Sequence, residues 1–448
     1  MKKGIVCIVT AFLAAGTAMA QQDTLRWSLN DCIDYAMAQN IQLRKSHLML
    51  EESKVDVKTA KAALFPSLSF SSNQNVSNRP YQPNSTSVSG TELISSNSKT
   101  TYMGSYGLNA SWTVWDGNRK RNTLRQQEMA EEIAALSVEE QENLLKEEIM
   151  KLYVQILYAS ESVSINEGTL ELSRAQCERG RQLLEAGSIS KSEQAQLEAQ
   201  LSNDNYQLVV ARATLADYEL QLKQLLELDG SQELELVIPE ADEALVTSPL
   251  PDKRYVYGVA LGNRPEIKSS DMDIQSADLS IKIAKAGYMP NISLDAGIST
   301  NHSSGSGLSF GEQLKDGWNN SIGLTLSIPI FQNRQTKSAV EKARIQYQTS
   351  QLDKIDAEKN LYQTIESMWL DAVNAQEQFV AADSKLKSSE VSYSLVNEQF
   401  NLGMKNTVEL LTEKNNLLSA QQERIQAKYM AMLNRSLLMF YAGEEIDL

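Results

Sequence analysis

The chain repeats itself, and no other feature limits its possible folds so strongly. Leu145, Ile149, Leu152, Ile156, Ala159 and Val163 step by four and three, the spacing of a coiled-coil seam. Adding 216 to each number lands on Leu361, Ile365, Met368, Ala372, Ala375 and Phe379, all apolar. "LLEAGSISKSEQAQL" (183–197) faces "QFNLGMKNTVELL" (399–411), with Gly403 lying 216 residues after Gly187. Nearer the start, "AALFPSLSF" (62–70) matches "AGYMPNISL" (286–294), and "AQNIQL" (38–43) matches "GNRPEI" (262–267), both at an offset of 224. "WDGNRK" (115–120) aligns with "FQNRQ" (331–335), Asn333 following Asn118 by 215. The offset drops only between Pro66 and Asn118, so one loop there is longer in the first copy.

Each copy reads as a helix, two strands, one very long helix, a turn and a shorter returning helix. The first repeat, 21–229, places these at 28–64, 67–78 with 102–115, 118–186 and 190–229. The second, 251–448, places them at 251–287, 291–300 with 319–331, 333–402 and 406–442. Residues 230–250 form a linker, in which alternation and prolines predict a short strand or a loop. A helix of ~69 residues spans roughly 100 Å at 1.5 Å per residue. The expectation is a long, mainly α body of antiparallel coiled-coil helices, with all four strands at one end.

The strands carry the second constraint. In "SIGLTLSIPIF", Ile322, Leu324, Leu326, Ile328 and Ile330 share one face, while Ser321, Gly323, Thr325, Ser327 and Pro329 share the other. Leu108 and Trp112 lie on an apolar face of 102–114, and Ile292 and Leu294 on that of 291–300. Phe65, Tyr102, Trp112, Trp115, Tyr288, Trp318 and Phe331 fall near strand ends, where an interfacial aromatic girdle belongs. A soluble sandwich would alternate in the same way, but its second layer would have to come from helices whose seams already serve each other. The apolar face is therefore read as lipid-facing. Four strands cannot close a barrel, and strands at bilayer depth cannot leave open edges. Two copies give eight strands, too narrow for an open lumen, whereas three give twelve and room for a wet channel lined by Ser, Asn, Gly and Thr. The Ser-, Gly- and Asn-rich segments 79–101 and 301–318 read as long external loops.

Residues 1–20 combine Lys2 and Lys3, an apolar run and Ala18-Met19-Ala20, the pattern of a secretory signal peptide. Its removal leaves 40 basic against 57 acidic residues, a net of −17 that carries no electrostatic footprint for nucleic acid. Two cysteines remain, Cys32 and Cys177, too few for a disulfide framework, and their pairing is left open. His47 and His302 share no helical face, so no metal site is expected. "GLSFG" (307–311) matches G-x-S-x-G, but it falls in a loop between strands and not at a strand–turn–helix elbow. Without a phosphate-cradling loop, a cofactor site or a catalytic constellation, no enzyme is expected.

This layout resembles the TolC-like outer-membrane efflux proteins across essentially the whole mature chain. The likeness rests on the duplication, the strand entries at Pro66 and Pro290, the Asn-Arg pairs at Asn118-Arg119 and Asn333-Arg334, and a Gly-containing turn followed by an acid. It implies a homotrimer whose twelve-stranded β-barrel crosses the outer membrane and whose long α-barrel extends into the periplasm. It also implies an exit duct joined by a periplasmic adaptor (membrane fusion) protein to an inner-membrane transporter. By that resemblance Gly187, Ser188, Gly403 and Met404 lie at the periplasmic tip that meets the adaptor. Glu409 matches the first acid of a constriction ring and Glu193 is its counterpart, while Thr412 stands where a second acid is common, with Glu413 beside it.

The residues themselves admit a plainer reading. Gly187 and Gly403 cap long helices, and Glu193 and Glu409 fall in first turns, where the helix dipole favours a carboxylate. If three Glu409 side chains met on an axis, they would repel, raise one another's pKa and attract cations. The competing class is a periplasmic or surface coiled-coil protein without a channel.

Overall fold

The computed structural model describes residues 26–81, 99–229, 235–237 and 246–444, together with the backbone of 85–89 and 92–96. The expected signal peptide and most of the 230–250 linker lie outside the described residues.

In chain order the elements are β1 (Arg26–Trp27), α1 (Leu29–Gln39), α2 (Ile41–Ala62), β2 (Ser67–Asn78), β3 (Ser85–Ser89), β4 (Glu92–Ser96), β5 (Thr100–Trp115), α3 (Arg119–Glu185) and α4 (Lys191–Leu225). Then follow β6 (Glu235–Leu236), α5 (Lys253–Asn263), α6 (Pro265–Ala286), β7 (Asn291–Ser303), α7 (Phe310–Asp316), β8 (Asn319–Ser327), α8 (Gln335–Asn401) and α9 (Thr407–Tyr441). The duplication reaches single residues. Helices α3 and α8 both hold 67 residues and begin 216 apart, at 119 and 335. Helices α4 and α9 both hold 35, beginning at 191 and 407. The pairs α1/α5 and α2/α6 hold 11 and 22 residues and keep the offset of 224.

Where a single helix is expected over 28–64 and again over 251–287, the chain breaks once in each copy. Asn40 makes the first break, its Oδ1 accepting from the Gln42 and Leu43 amides at 2.9 and 3.1 Å and so capping α2. At the second, Pro265 opens α6 from position N1, which needs no amide donor and forces extended backbone on Arg264.

Contacts divide the chain into two units, and neither is a sequence half. One comprises the described residues within 1–44, 142–260 and 362–448, the other those within 45–141 and 261–361, so each draws on both copies. The first is helical and holds the main apolar core. Leu145, Ile149, Leu152, Ile156 and Ala159 of α3 are buried there, as are Ala372, Ala375 and Phe379 of α8. The described part of the linker docks on this unit: Glu235–Leu236 pairs in parallel with Arg26–Trp27, and the Tyr153 hydroxyl donates to the Val237 carbonyl.

The second unit contains one antiparallel sheet of order β2-β5-β7-β8. Each copy supplies a two-strand hairpin, and β5 joins β7 across the copies. Strand β8 ends at Ser327 and not at 331, because Pro329 cannot donate to a ladder. The segments read as loops hold structure: 79–101 carries the β3–β4 ladder, and 301–318 carries α7, which Ser309 and Glu312 close with a capping box. Both strand-to-helix junctions use two successive left-handed residues. Gly117 and Asn118 have φ of 69° and 65°, and Asn333 and Arg334 have 46° and 66°. The backbone thus equates Asn118 with Arg334 and moves the junction register one residue from the sequence match.

Candidate functional site

The polar and apolar faces of the sheet separate row by row. Phe70 stands opposite Leu108, which faces Ile298; Leu68 faces Ala110, then Ala296, then Ile322. Trp112 faces Leu294 and then Leu324, and Ile292 faces Leu326. On the reverse, Ser69, Asn109, Gly297 and Ser321 align, as do Ser67, Ser111, Asp295 and Gly323. Asp295 there accepts from Ser111 Oγ at 2.8 Å and from Ser293 Oγ at 3.3 Å. No part of the described chain covers these aliphatic rows: Phe70 and Leu324 are each 70 % exposed and Ile322 is 78 % exposed. Ile328 lies beyond the end of β8 and is also exposed. An uncovered apolar patch of this extent marks a surface meant for another apolar phase or another chain.

At the far end of the apolar face, beyond Leu108 and Ile298, no side chain fits at Gly104 because His302 occupies the space. A Cβ at Gly104 would come within 2.1 Å of His302 Cε1. The imidazole sits among Tyr102, Tyr106 and Phe310, with ring centroids 5.1, 5.8 and 4.9 Å away. At the opposite rim the Trp112 indole donates to the Leu64 carbonyl at 2.9 Å.

The two turns between long and returning helices lie in the first unit and are built alike. Gly187 and Gly403 both have φ of 73°, and each ends its helix in a Schellman motif. Ser188 N donates to Leu183 O at 2.8 Å and Gly187 N to Leu184 O at 3.0 Å; Met404 N donates to Gln399 O and Gly403 N to Phe400 O, both at 2.9 Å. Leu402 and Met404 stand exposed beside Gly403.

The expected gate acids close the next helices. Glu193 takes the Ser190 amide at 2.7 Å while Ser190 Oγ accepts from the Glu193 amide, a complete capping box. Glu409 does the same with Asn406 and also binds Lys405 Nζ at 2.5 Å. Hydrogen bonds from Ser190 hold the Glu193 carboxyl below its usual range; the Lys405 ammonium and then the Asn406 amide do so for Glu409. Within one chain, therefore, Glu409 is a paired capping residue. Thr412 donates to the Val408 carbonyl, and Glu413 accepts from Ser392 Oγ at 2.8 Å. Each of Glu193 and Glu409 bonds only within its own turn, whereas Glu413 reaches α8.

One cluster escapes sequence reading. Lys414 donates to Asp204 and to Ser173, Ser173 donates to Asp204, and Gln200 Nε2 donates to the second Asp204 oxygen at 2.8 Å. The Lys414 and Asp204 side chains are only 2 % and 1 % exposed. The available signal was periodicity: Thr407, Leu410 and Lys414 step by three and four, so a lysine occupies a seam position.

Other chemistry is accounted for locally. Among the described residues no three His, Cys, Asp or Glu side chains gather as metal ligands. Ser309 of the G-x-S-x-G match spends its Oγ accepting from the Glu312 amide. Cys32 and Cys177 are both free and buried, and burial pushes the Cys32 thiol up to about 12.

Comparison with known proteins follows this geometry closely. A family model described as "Outer membrane efflux protein" matches residues 32–227 and 256–444. The chain is 22 % identical to the outer membrane efflux protein BepC of Brucella suis over 422 residues, covering 94 % of this chain and 86 % of that protein. It is 24 % identical to the outer membrane protein TolC of Escherichia coli over 459 residues, covering 97 % and 85 %. Among solved structures, CusC superposes with a TM-score of 0.80 at 19 % identity, covering 93 % of this chain and 92 % of that one. VceC of Vibrio cholerae superposes at 0.75 and 14 % identity, covering 94 % and 97 %.

Proposed function

The chain belongs to the outer membrane efflux protein family, and from that premise we propose that it works as a homotrimeric exit duct of a tripartite efflux or type I secretion system. Its place is the outer membrane, in common with the family. The observation that carries the proposal is the open sheet with an uncovered apolar face, whose edge strands β2 and β8 have no partner among the described strands. Three copies joined β8 to β2 give twelve strands, remove every edge, turn the apolar rows to lipid and line a channel with the Ser, Asn and Gly rows. Leu108, Trp112, Ile292, Leu294, Ile322, Leu324, Leu326 and Ile328 are then the lipid-facing set.

In this reading the turns at Gly187–Ser188 and Gly403–Met404 meet the periplasmic adaptor, and the exposed Leu402 and Met404 supply apolar contact. Glu409, with Glu413 and Glu193 near it in sequence or by repeat, shapes the constriction at the entrance. The channel itself does no chemistry; cargo and energy belong to the inner-membrane transporter.

The test is the native mass of protein extracted from outer membranes in mild detergent, corrected for bound detergent. Three chains per particle is the expected result. A single chain recovered without detergent would refute the duct and leave a coiled-coil protein whose apolar sheet docks on another protein.

A further inference from the structure

The buried ion pair lies in the wrong place for an ordinary helix seam. Thr407 and Leu410 are fully buried on α9, and the next seam position holds a lysine that is 2 % exposed. Its partners come from the other repeat's hairpin: Ser173 from α3 and Asp204 from α4. Both oxygens of the carboxylate are engaged, with Lys414 and Ser173 on one and Gln200 on the other. The duplication does not reproduce the cluster. At the 216 offset Lys414 answers to Glu198, Asp204 to Ala420 and Ser173 to Ser389. So the tie exists once per chain and joins the return helix of the second copy to the hairpin of the first.

We infer that Lys414, Asp204 and Ser173 form a register lock that positions the constriction residues on α9, an inference that rests on the duct reading. An apolar seam of steps three and four tolerates sliding by a turn, whereas a single buried polar contact fixes one register. Glu413 precedes Lys414 directly, and Glu409 lies five residues earlier, roughly 7.5 Å along the axis at 1.5 Å per residue. A one-turn slip of α9 would move both by about 5.4 Å. Lys414 is a positioning residue: it touches no cargo, and it acts by setting where the Glu409 and Glu413 carboxylates stand. Opening of the entrance therefore moves the turn residues 402–413 about a point held at Lys414.

The test uses full-length trimers, with native mass as the assembly control and closed-state conductance in planar bilayers as the readout. The Lys414→Met/Asp204→Leu double variant removes both charges while keeping apolar volume, so it is expected to assemble. Its closed-state conductance should rise several-fold. The swap Lys414→Asp/Asp204→Lys should bring it back toward the wild-type value, which a role in packing alone would not produce. A trimeric double variant with wild-type conductance overturns the lock. Should the double variant fail to assemble, Lys414→Arg decides: it retains the charge but changes its reach, so raised closed conductance supports the lock and a wild-type value overturns it. Wild-type trimers that carry no current at all would refute the duct reading, a result distinct from any difference among variants.

Discussion

Replacing Leu324 by arginine separates the two possible fates of the apolar sheet face. Leu324 sits in the row Trp112–Leu294–Leu324, near the middle of β8, and is 70 % exposed within the chain. If that face meets water, or a partner only transiently, the change touches little and stability moves by no more than about 0.5 kcal/mol. If it meets lipid near the bilayer midplane, each arginine costs about 2–4 kcal/mol, or roughly 6–12 kcal/mol for three copies. Per chain that is roughly a 30- to 1,000-fold shift against insertion, taking about 1.4 kcal/mol per tenfold. The adjacent residue supplies the control, since Thr325 pairs with Ser293 on the polar face. Quantifying trimers in outer-membrane extracts should show Thr325→Arg assembling and Leu324→Arg absent. Equal yields from the two variants would refute the assignment of faces, whatever the other data.

Three further outcomes follow from the turns and the sheet. The Glu193 and Glu409 carboxyls are held below the usual glutamate range, so the stabilisation they give is present above that range and is lost as pH falls through their lower folded values. Protection of the Ser190 and Asn406 amides from hydrogen exchange, taken relative to the intrinsic rate at each pH, should fall in that acid window and hold at pH 6; acid-independent protection would remove the capping role. Gly403→Ala meets no atom within 4 Å but must adopt φ of 73°, so it should cost about 1–2 kcal/mol from backbone strain alone. Limited proteolysis at the turn would register this as faster cleavage, and an unchanged rate would contradict the strain. Gly104→Val should expel His302 from its aromatic cluster, visible as a changed near-ultraviolet circular dichroism signal with the trimer retained.

How much of this was legible in the sequence depends on the range of the interaction. The long helices and the alternating strands follow from local periodicity, so α3, α8, β5 and β7 could be placed from residue pattern alone, whereas in β2 the alternation fades after Phe70. The breaks at Asn40 and Arg264 were hidden because apolar periodicity runs through both, although Asn capping and Pro265 at N1 were local signals in plain view. The residue pattern runs past the end of β8 because Ile328 and Ile330 keep the alternation that Pro329 cannot support with a hydrogen bond. The β3–β4 ladder had only Ser-rich composition to announce it. For the Lys414 cluster, seam spacing marks the lysine itself, but its partners lie 210 and 241 residues away, and nothing local identifies them.

The pairing of β5 with β7 has a consequence for how such an assembly can form at all. That seam joins one copy of the repeat to the other inside a single chain, and in the proposed trimer the contact between β8 and a neighbouring β2 is of the same kind. The ring is then six hairpins in circumference but only three molecules in number. Had each copy been a separate polypeptide, three more bodies would have surrendered their translational and rotational freedom, at an estimated 4–15 kcal/mol apiece. Fusion of the repeats turns half of the ring's seams into intramolecular contacts, so closure becomes a three-body event at the low concentrations available to an exported protein.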